Sequence, residues 1–194
     1  MNKGKSTTTS GMEWNTMLGL SERLKKDGLY MDYLLITIGC YFGLRVGDLL
    51  SLKWNLLLDV QEIIVIEGKT KKKRRITLNQ SVINALIFCS EKQKAKNSFR
   101  AERYIFANRW EGKITVSYIN KRLKFIFKKY NVKVANASSH TLRKTFGKRI
   151  YEMDNKSERA LIYLSDIFSH SSIAMTRKYI GITQEQISDL YINL

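Results

Sequence analysis

His140 and His170 are the only two histidines in the chain, and each lies close to residues able to act on a phosphate. His140 sits in the run Ser139-His140-Thr141-Leu142-Arg143, and Tyr179 follows His170 by nine positions. Imidazole is the side chain whose ordinary pKa best suits proton transfer near neutral pH. A spacing of three puts His140 and Arg143 on one helix face, one turn apart. With Ser138 or Ser139 as N-cap, His140 falls in the first turn, where free N–H groups and the helix dipole favour an anion. Arg143 adds a planar fork matched to phosphate oxygens. Gly43-Leu44-Arg45-Val46-Gly47-Asp48 repeats the spacing of three with Arg45 and Asp48, and Asp48 is placed to orient a guanidinium. Tyr179 is the candidate nucleophile. A phenol ionises near pH 10, so it attacks phosphorus only when a base or nearby cations favour the phenolate. The resulting phosphotyrosine would keep the energy of the broken bond, so resealing would need neither metal nor ATP. Taken singly, each of these motifs also reads as an ordinary capped helix, a surface arginine or a core aromatic.

Lys69, Lys71, Lys72, Lys73, Arg74 and Arg75 crowd one short polar stretch. As a solvated turn it would grip a polyanion through its backbone phosphates. One lysine at the tip of a flexible hairpin could also reach a phosphate and protonate a leaving oxygen. The whole chain is basic, with 34 Lys plus Arg against 17 Asp plus Glu, a formal charge of +17. Such an excess favours a polyanionic partner through counterion release. The basic residues are spread along the chain rather than along one amphipathic helix, so nucleic acid is favoured over a membrane face. No apolar run reaches the roughly 18 residues that span a bilayer, and Met1 to Ser10 lacks the apolar core of a secretion signal. Cys40 and Cys89 sit in apolar helical stretches and read as reduced core residues of a cytoplasmic protein.

These groups need a scaffold, and helical periodicity supplies most of it. Helices are predicted over 12–26 with Ser10 as N-cap, over 30–42 closed by Gly43, and over 46–52. The β-branched run 62–66 and the segment 75–78 read as antiparallel strands joined by a turn over 67–74. Residues 104–106 read as a short strand or a buried segment. Further helices are expected over 81–91, 115–130, 140–151, 158–168, 173–179 and 185–191. The fold class is therefore mainly α with one small antiparallel sheet, an α+β domain. Residues 1–9 read as a disordered lead, 10–182 as the domain, and 183–194 as a C-terminal helix with an apolar stripe of Ile187, Leu190, Tyr191 and Leu194.

The ordered set of motifs resembles the catalytic domain of the tyrosine recombinases, the phage-integrase family, which shares its chemistry with type IB topoisomerases. The first family box is similar to Gly43-Leu44-Arg45 through Leu52-Lys53-Trp54, and the hairpin lysine matches Gly68-Lys69. The His-x-x-Arg box matches His140 and Arg143, and the last box runs from His170 to Tyr179. The resemblance implies a DNA breaking-rejoining fold acting on duplex DNA without cofactors. It implies that Arg45 and Arg143 hold the phosphate, Lys69 is the general acid and His140 an acid–base group. It also implies that His170 donates to the phosphate and Tyr179 forms a 3′-phosphotyrosine. Lys71 is the alternative if the hairpin register shifts. Lys71, Lys72, Lys73, Arg74, Arg75, Lys144, Arg177 and Lys178 are expected to contact DNA.

By the same resemblance the protein would act on paired sites as a homotetramer, in the cytoplasm on the nucleoid, and could be monomeric alone. The 183–194 helix would then be exchanged between protomers, unless it covers its own core. Two departures stand out. Ser169 replaces the glycine usual before the last-box histidine, and no separate DNA-clamping helical domain precedes Met12, so the chain is either the catalytic portion of a longer protein or similar to short members such as fimbrial-switch invertases. The alternatives are a DNA-binding module without catalysis, a site-independent strand-relaxing enzyme, and an RNA-binding protein. The last would need exposed aromatics on its sheet, and the sequence supplies none there.

Overall fold

The computed structural model describes residues 9–182, which fall into two compact units dividing between Phe146 and Gly147. The first unit contains helices α1 (Trp14–Lys26), α2 (Tyr30–Phe42) and the short α3 (Val46–Leu49). A 3-10 turn (Trp54–Leu56), strands β1 (Glu62–Ile66) and β2 (Lys73–Thr77), and helices α4 (Gln80–Lys94) and α5 (Val116–Lys129) follow. Helix α6 (Ser139–Met153) begins in this unit and ends in the second, which also holds α7 (Glu158–Phe168) and α8 (Ile173–Ile180). The mainly helical α+β reading therefore holds for the described residues, with one two-stranded antiparallel sheet.

Helix α2 is the axis of the first unit. Its sequence is apolar on every face, and residues 32–40 are all buried, as expected of a helix surrounded by protein. Leu20 and Leu24 of α1, Val82 and Leu86 of α4, and Leu123 and Ile126 of α5 complete the same core. Each such side chain contributes about 1.5–3 kcal/mol on leaving water. Polar N-caps fix the later helices. Asn79 accepts from Ser81 N–H at 2.9 Å, and Thr115 accepts from Tyr118 N–H at 3.2 Å.

The hairpin pairs Glu62 with Thr77 and Ile66 with Lys73, so β2 starts two residues earlier than its apolar residues suggest. The polar turn 67–72 is correspondingly shorter than expected. Residues 104–106 form only an isolated bridge, Tyr104 opposite Lys53.

Two expectations at the N-terminus are corrected. Ser10 does not cap α1, which starts at Trp14 without a side-chain cap. Its backbone N–H and its hydroxyl instead pair with the Ala135 backbone, at 3.0 and 2.9 Å. Thr9, assigned to the lead, is held by its hydroxyl donating to Asn136 C=O at 2.9 Å. The helix expected over 185–191 lies outside the described residues. Cys40 and Cys89 are buried free thiols, as expected. Among the described residues, no helix is long and apolar enough to cross a membrane.

Candidate active site

The site residues divide between the two units. Arg45, Asp48, Lys69, His140 and Arg143 belong to the first, and His170 and Tyr179 to the second.

In the first unit the arrangement starts at the end of α2. Gly43 closes that helix in the left-handed region (φ 55°), and a Cβ there would stand 2.4 Å from the Phe146 ring. Glycine is therefore required twice, by the backbone and by the packing. The turn exposes the carbonyls of Phe42 and Gly43, at the negative end of the α2 dipole. Two arginines cover them. Arg143 donates to Gly43 C=O at 2.7 Å; Arg74 donates to Gly43 C=O at 3.3 Å and also to Phe42 C=O. Arg45 follows at the N-cap of α3, two residues past Gly43.

Glu67, at the end of β1, pairs with Arg45 through a side chain that is 2 % exposed. The same oxygen accepts from the Thr70 hydroxyl at 2.7 Å. Burial pushes the Glu67 carboxyl up. The Thr70 and Arg45 hydrogen bonds and the charges of Arg45 and Arg143 outweigh that and hold it below the usual carboxylate range. Asp48 was expected to orient a guanidinium. It instead accepts from the Gly68 backbone N–H at 2.9 Å and so holds the hairpin turn. Glu67 takes the guanidinium role. An acid breaking an otherwise basic turn was the only sequence signal for it, and one such residue at a strand end reads first as solvated.

Three guanidiniums, Arg45, Arg74 and Arg143, and two carboxylates, Asp48 and Glu67, thus gather in one cluster. Lys69 is exposed between Gly68 and Thr70, both of them tethered. Lys71, in the left-handed region at φ 58°, turns the chain and is exposed with Lys72 and Lys73.

Ser138 caps α6 as foreseen, its hydroxyl accepting from His140 N–H at 3.3 Å. His140 keeps an exposed edge one turn before Arg143. Partial burial, then the charges of Arg143 and Lys144, hold its imidazole pKa below the ordinary value.

Two of the expected DNA contacts are placed elsewhere. Arg74 is not a solvated hairpin cation, because it turns inward to the α2 carbonyls and lies over the Phe146 ring at 5.8 Å. Burial and the Arg143 charge push its pKa down to about 10, still cationic at neutral pH. Lys144 is 6 % exposed, and burial lowers its pKa as well. It lies in a buried run of α6 from 141 to 145. Arg75 is exposed and pairs with Glu62 at 3.4 Å; Arg177 and Lys178 are exposed on α8.

In the second unit, α7 ends with Ser169 in the left-handed region at φ 52°, the position where glycine was expected. The turn closes by His170 N–H donating to Ser165 C=O at 3.0 Å. It delivers His170 against Tyr179 and Phe168, with ring centroids 5.2 and 5.3 Å apart and edge-on or tilted packing. Gly147 makes room for this cluster, since a Cβ there would lie 2.8 Å from Ile180 and 3.0 Å from Phe168. His170 Nδ1 lies 3.0 Å from the Thr176 hydroxyl, whose other neighbour, Ser172 C=O, is at 3.5 Å. Either atom can donate across the 3.0 Å contact, according to the imidazole tautomer.

Residues 10–186 match the model of the phage integrase family, and the chain belongs to that family. It is 28% identical over 159 residues to a tyrosine recombinase XerC of Caldanaerobacter subterraneus subsp. tengcongensis, covering 81% of this chain and 43% of the relative. It is also 28% identical over 160 residues to a probable integrase/recombinase YoeC of Bacillus subtilis, covering 82% of each. Among solved structures, XerA recombinase superposes with a TM-score of 0.70 at 21% identity, covering 100% of this chain and 66% of that one. A post-cleavage complex of XerH with palindromic difH substrate gives 0.70 at 20%, over 94% and 52%. The fold is thus that of tyrosine recombinase catalytic domains, and the chain spans less than half the length of the first of these curated relatives.

Proposed function

We propose that this chain cleaves and rejoins duplex DNA as a site-specific tyrosine recombinase. The cation cluster on the carbonyls of Gly43 and Phe42 carries the reading. Arg143 and Arg74 cover the Gly43 carbonyl, and the buried carboxylate of Glu67 holds Arg45 beside them. In the reaction the Tyr179 oxygen attacks the scissile phosphorus and the P–O5′ bond breaks. Lys69 gives its ammonium proton to the departing 5′-oxygen, while the phenol proton passes to His140. Arg45, Arg143 and His170 stabilise the charge that builds on the non-bridging oxygens. The products are a 3′-phosphotyrosine and a free 5′-hydroxyl, and resealing runs the steps backwards. All of this requires Tyr179 and the arginine cluster to act on one phosphate.

Membership of the family supports a tetramer on paired duplex sites, working on the nucleoid in the cytoplasm. The exposed Lys71, Lys72, Lys73, Arg75, Arg177 and Lys178 are assigned to the DNA backbone, on charge and exposure.

The test is a denaturing gel of the protein with nicked duplexes from the DNA flanking its own gene. A detergent-resistant band is expected, absent with Tyr179→Phe. Retained DNA binding with no adduct on any duplex would overturn the reading.

A further inference from the structure

We propose that Glu67 is a positioning residue that ties the phosphate-gripping Arg45 to the hairpin carrying Lys69. The inference rests on the recombinase reading above and assigns a part to a residue outside the six motif positions.

Glu67 is the one acid in the stretch 67–75, where six of nine residues are Lys or Arg, and it is buried while Lys69, Lys71, Lys72 and Lys73 are exposed. A buried carboxylate costs several kcal/mol unless it is paired and hydrogen-bonded. Two bonds on its Oε2, from Arg45 and from the Thr70 hydroxyl, offset part of that cost, while Oε1 is buried with no hydrogen-bond partner among the described residues. The consequence falls on Lys69. Its preceding neighbour, Gly68, is held by Asp48 of α3, and its following neighbour, Thr70, is held by Glu67. Glu67 is in turn bonded to Arg45 at the start of α3. Both sides of the lysine are thus tied to the segment that carries the catalytic arginine, yet its own side chain stays exposed and able to swing. The backbone amide and carbonyl of Glu67 also close the turn, to Lys72 C=O at 3.0 Å and from Lys71 N–H at 2.8 Å. A guanidinium has five N–H donors, so a carboxylate and a phosphate can share Arg45.

Loss of the clasp should therefore harm proton delivery to the leaving oxygen more than phosphate binding. A substrate with sulfur in place of the scissile 5′-bridging oxygen separates the two. Its thiolate leaves without a proton donor, because a thiol ionises near pH 8.5, about seven units below an alcohol-like oxygen. Single-turnover adduct formation is measured on both duplexes for wild type, Glu67→Ala, Glu67→Gln, Lys69→Ala and Arg45→Ala.

The expected result is a loss of about 100-fold for Glu67→Ala on the oxygen duplex, the scale of a 1 Å misplacement. On the sulfur duplex it should recover to within about threefold of wild type, as Lys69→Ala does and Arg45→Ala does not. Glu67→Gln keeps an oxygen for Thr70 and Arg45, so it should show a smaller loss with the same recovery. It also serves if the alanine variant does not fold. Equal losses on both duplexes would place the effect in Arg45 or in folding and overturn the proposal, as would wild-type rates for both Glu67 variants. Failure of the wild type on both duplexes would instead sink the recombinase reading itself, and this inference with it.

Discussion

The Thr176 hydroxyl lies within hydrogen-bond distance of His170 Nδ1, at 3.0 Å. Thr176 is fully buried on α8, three residues before Tyr179. Replacing it with Val removes this hydrogen-bond partner of His170 at nearly constant volume. Adduct formation by Thr176→Val should fall about tenfold, equivalent to one ordinary hydrogen bond of about 1.4 kcal/mol. Thr176→Ser should stay near wild type. Equal rates for Val and Ser would remove the hydroxyl from the mechanism.

Ser169 carries backbone strain where its position favours glycine. Ser169→Gly should raise stability by about 0.5–1 kcal/mol, the strain relieved exceeding the entropy that glycine adds to the unfolded chain. A thermal melt should shift upward by about 1–4 °C for a chain of this size. A downward shift would mean the turn is unstrained.

His140 has a folded-state pKa below the unfolded value. The unfolded chain therefore binds the proton more tightly, and stability falls as pH drops below about 6.5, towards the folded pKa. At neutral pH the ring is uncharged and able to accept the Tyr179 proton, so the adduct rate should decline on the acid side through the same window. An imidazole NMR titration of His140 should give a midpoint below about 6.5, the ordinary histidine value. A midpoint above it would reverse both expectations.

The basic residues should separate into two kinds. Lys72→Ala and Lys73→Ala should each reduce the salt slope of DNA binding by about 0.9 with little change in stability, because each exposed lysine neutralises about one phosphate. Arg74→Ala should instead destabilise the fold by about 3–5 kcal/mol, since it strips the Phe42 and Gly43 carbonyls of a charged partner and leaves a gap over Phe146. Salt-dependent binding curves and denaturant melts on the same variants distinguish these cases. A stable Arg74→Ala protein with a reduced slope would return that residue to the DNA-contact group.

Local pattern made much of this molecule legible. The 3.6-residue periodicity of α1, α5 and α7 and the β-branched run of β1 place those elements within about two residues. Gly43 and Ser138 end and start their helices as their chemistry demands. The less regular pieces were misplaced for physical reasons. Ser10 is an able cap, but its hydroxyl is better satisfied by Ala135, 125 residues away. Lys73 and Arg74 read as turn because their side chains are polar, although their backbones pair in the ladder with Ile66 and Val65.

The order and spacing of Arg45, Lys69, His140, Arg143, His170 and Tyr179 are properties of the sequence, and with them go the family and the kind of chemistry proposed. A nucleophile, a proton donor and phosphate-binding cations are defined by side-chain type, which folding does not alter. What each neighbouring charge does was decided by tertiary structure. Arg74 and Arg75 are adjacent and alike in composition, yet one caps α2 from within and the other faces solvent beside Glu62. Asp48, whose spacing suggested a guanidinium partner, holds the hairpin turn instead, and Glu67 pairs with Arg45. Side chains on a strand alternate between faces, and the cost of a buried charge depends on the partner that packing brings to it. No window of sequence contains that partner, because Glu67 meets Arg45 across 22 residues and Arg143 meets Gly43 across 100.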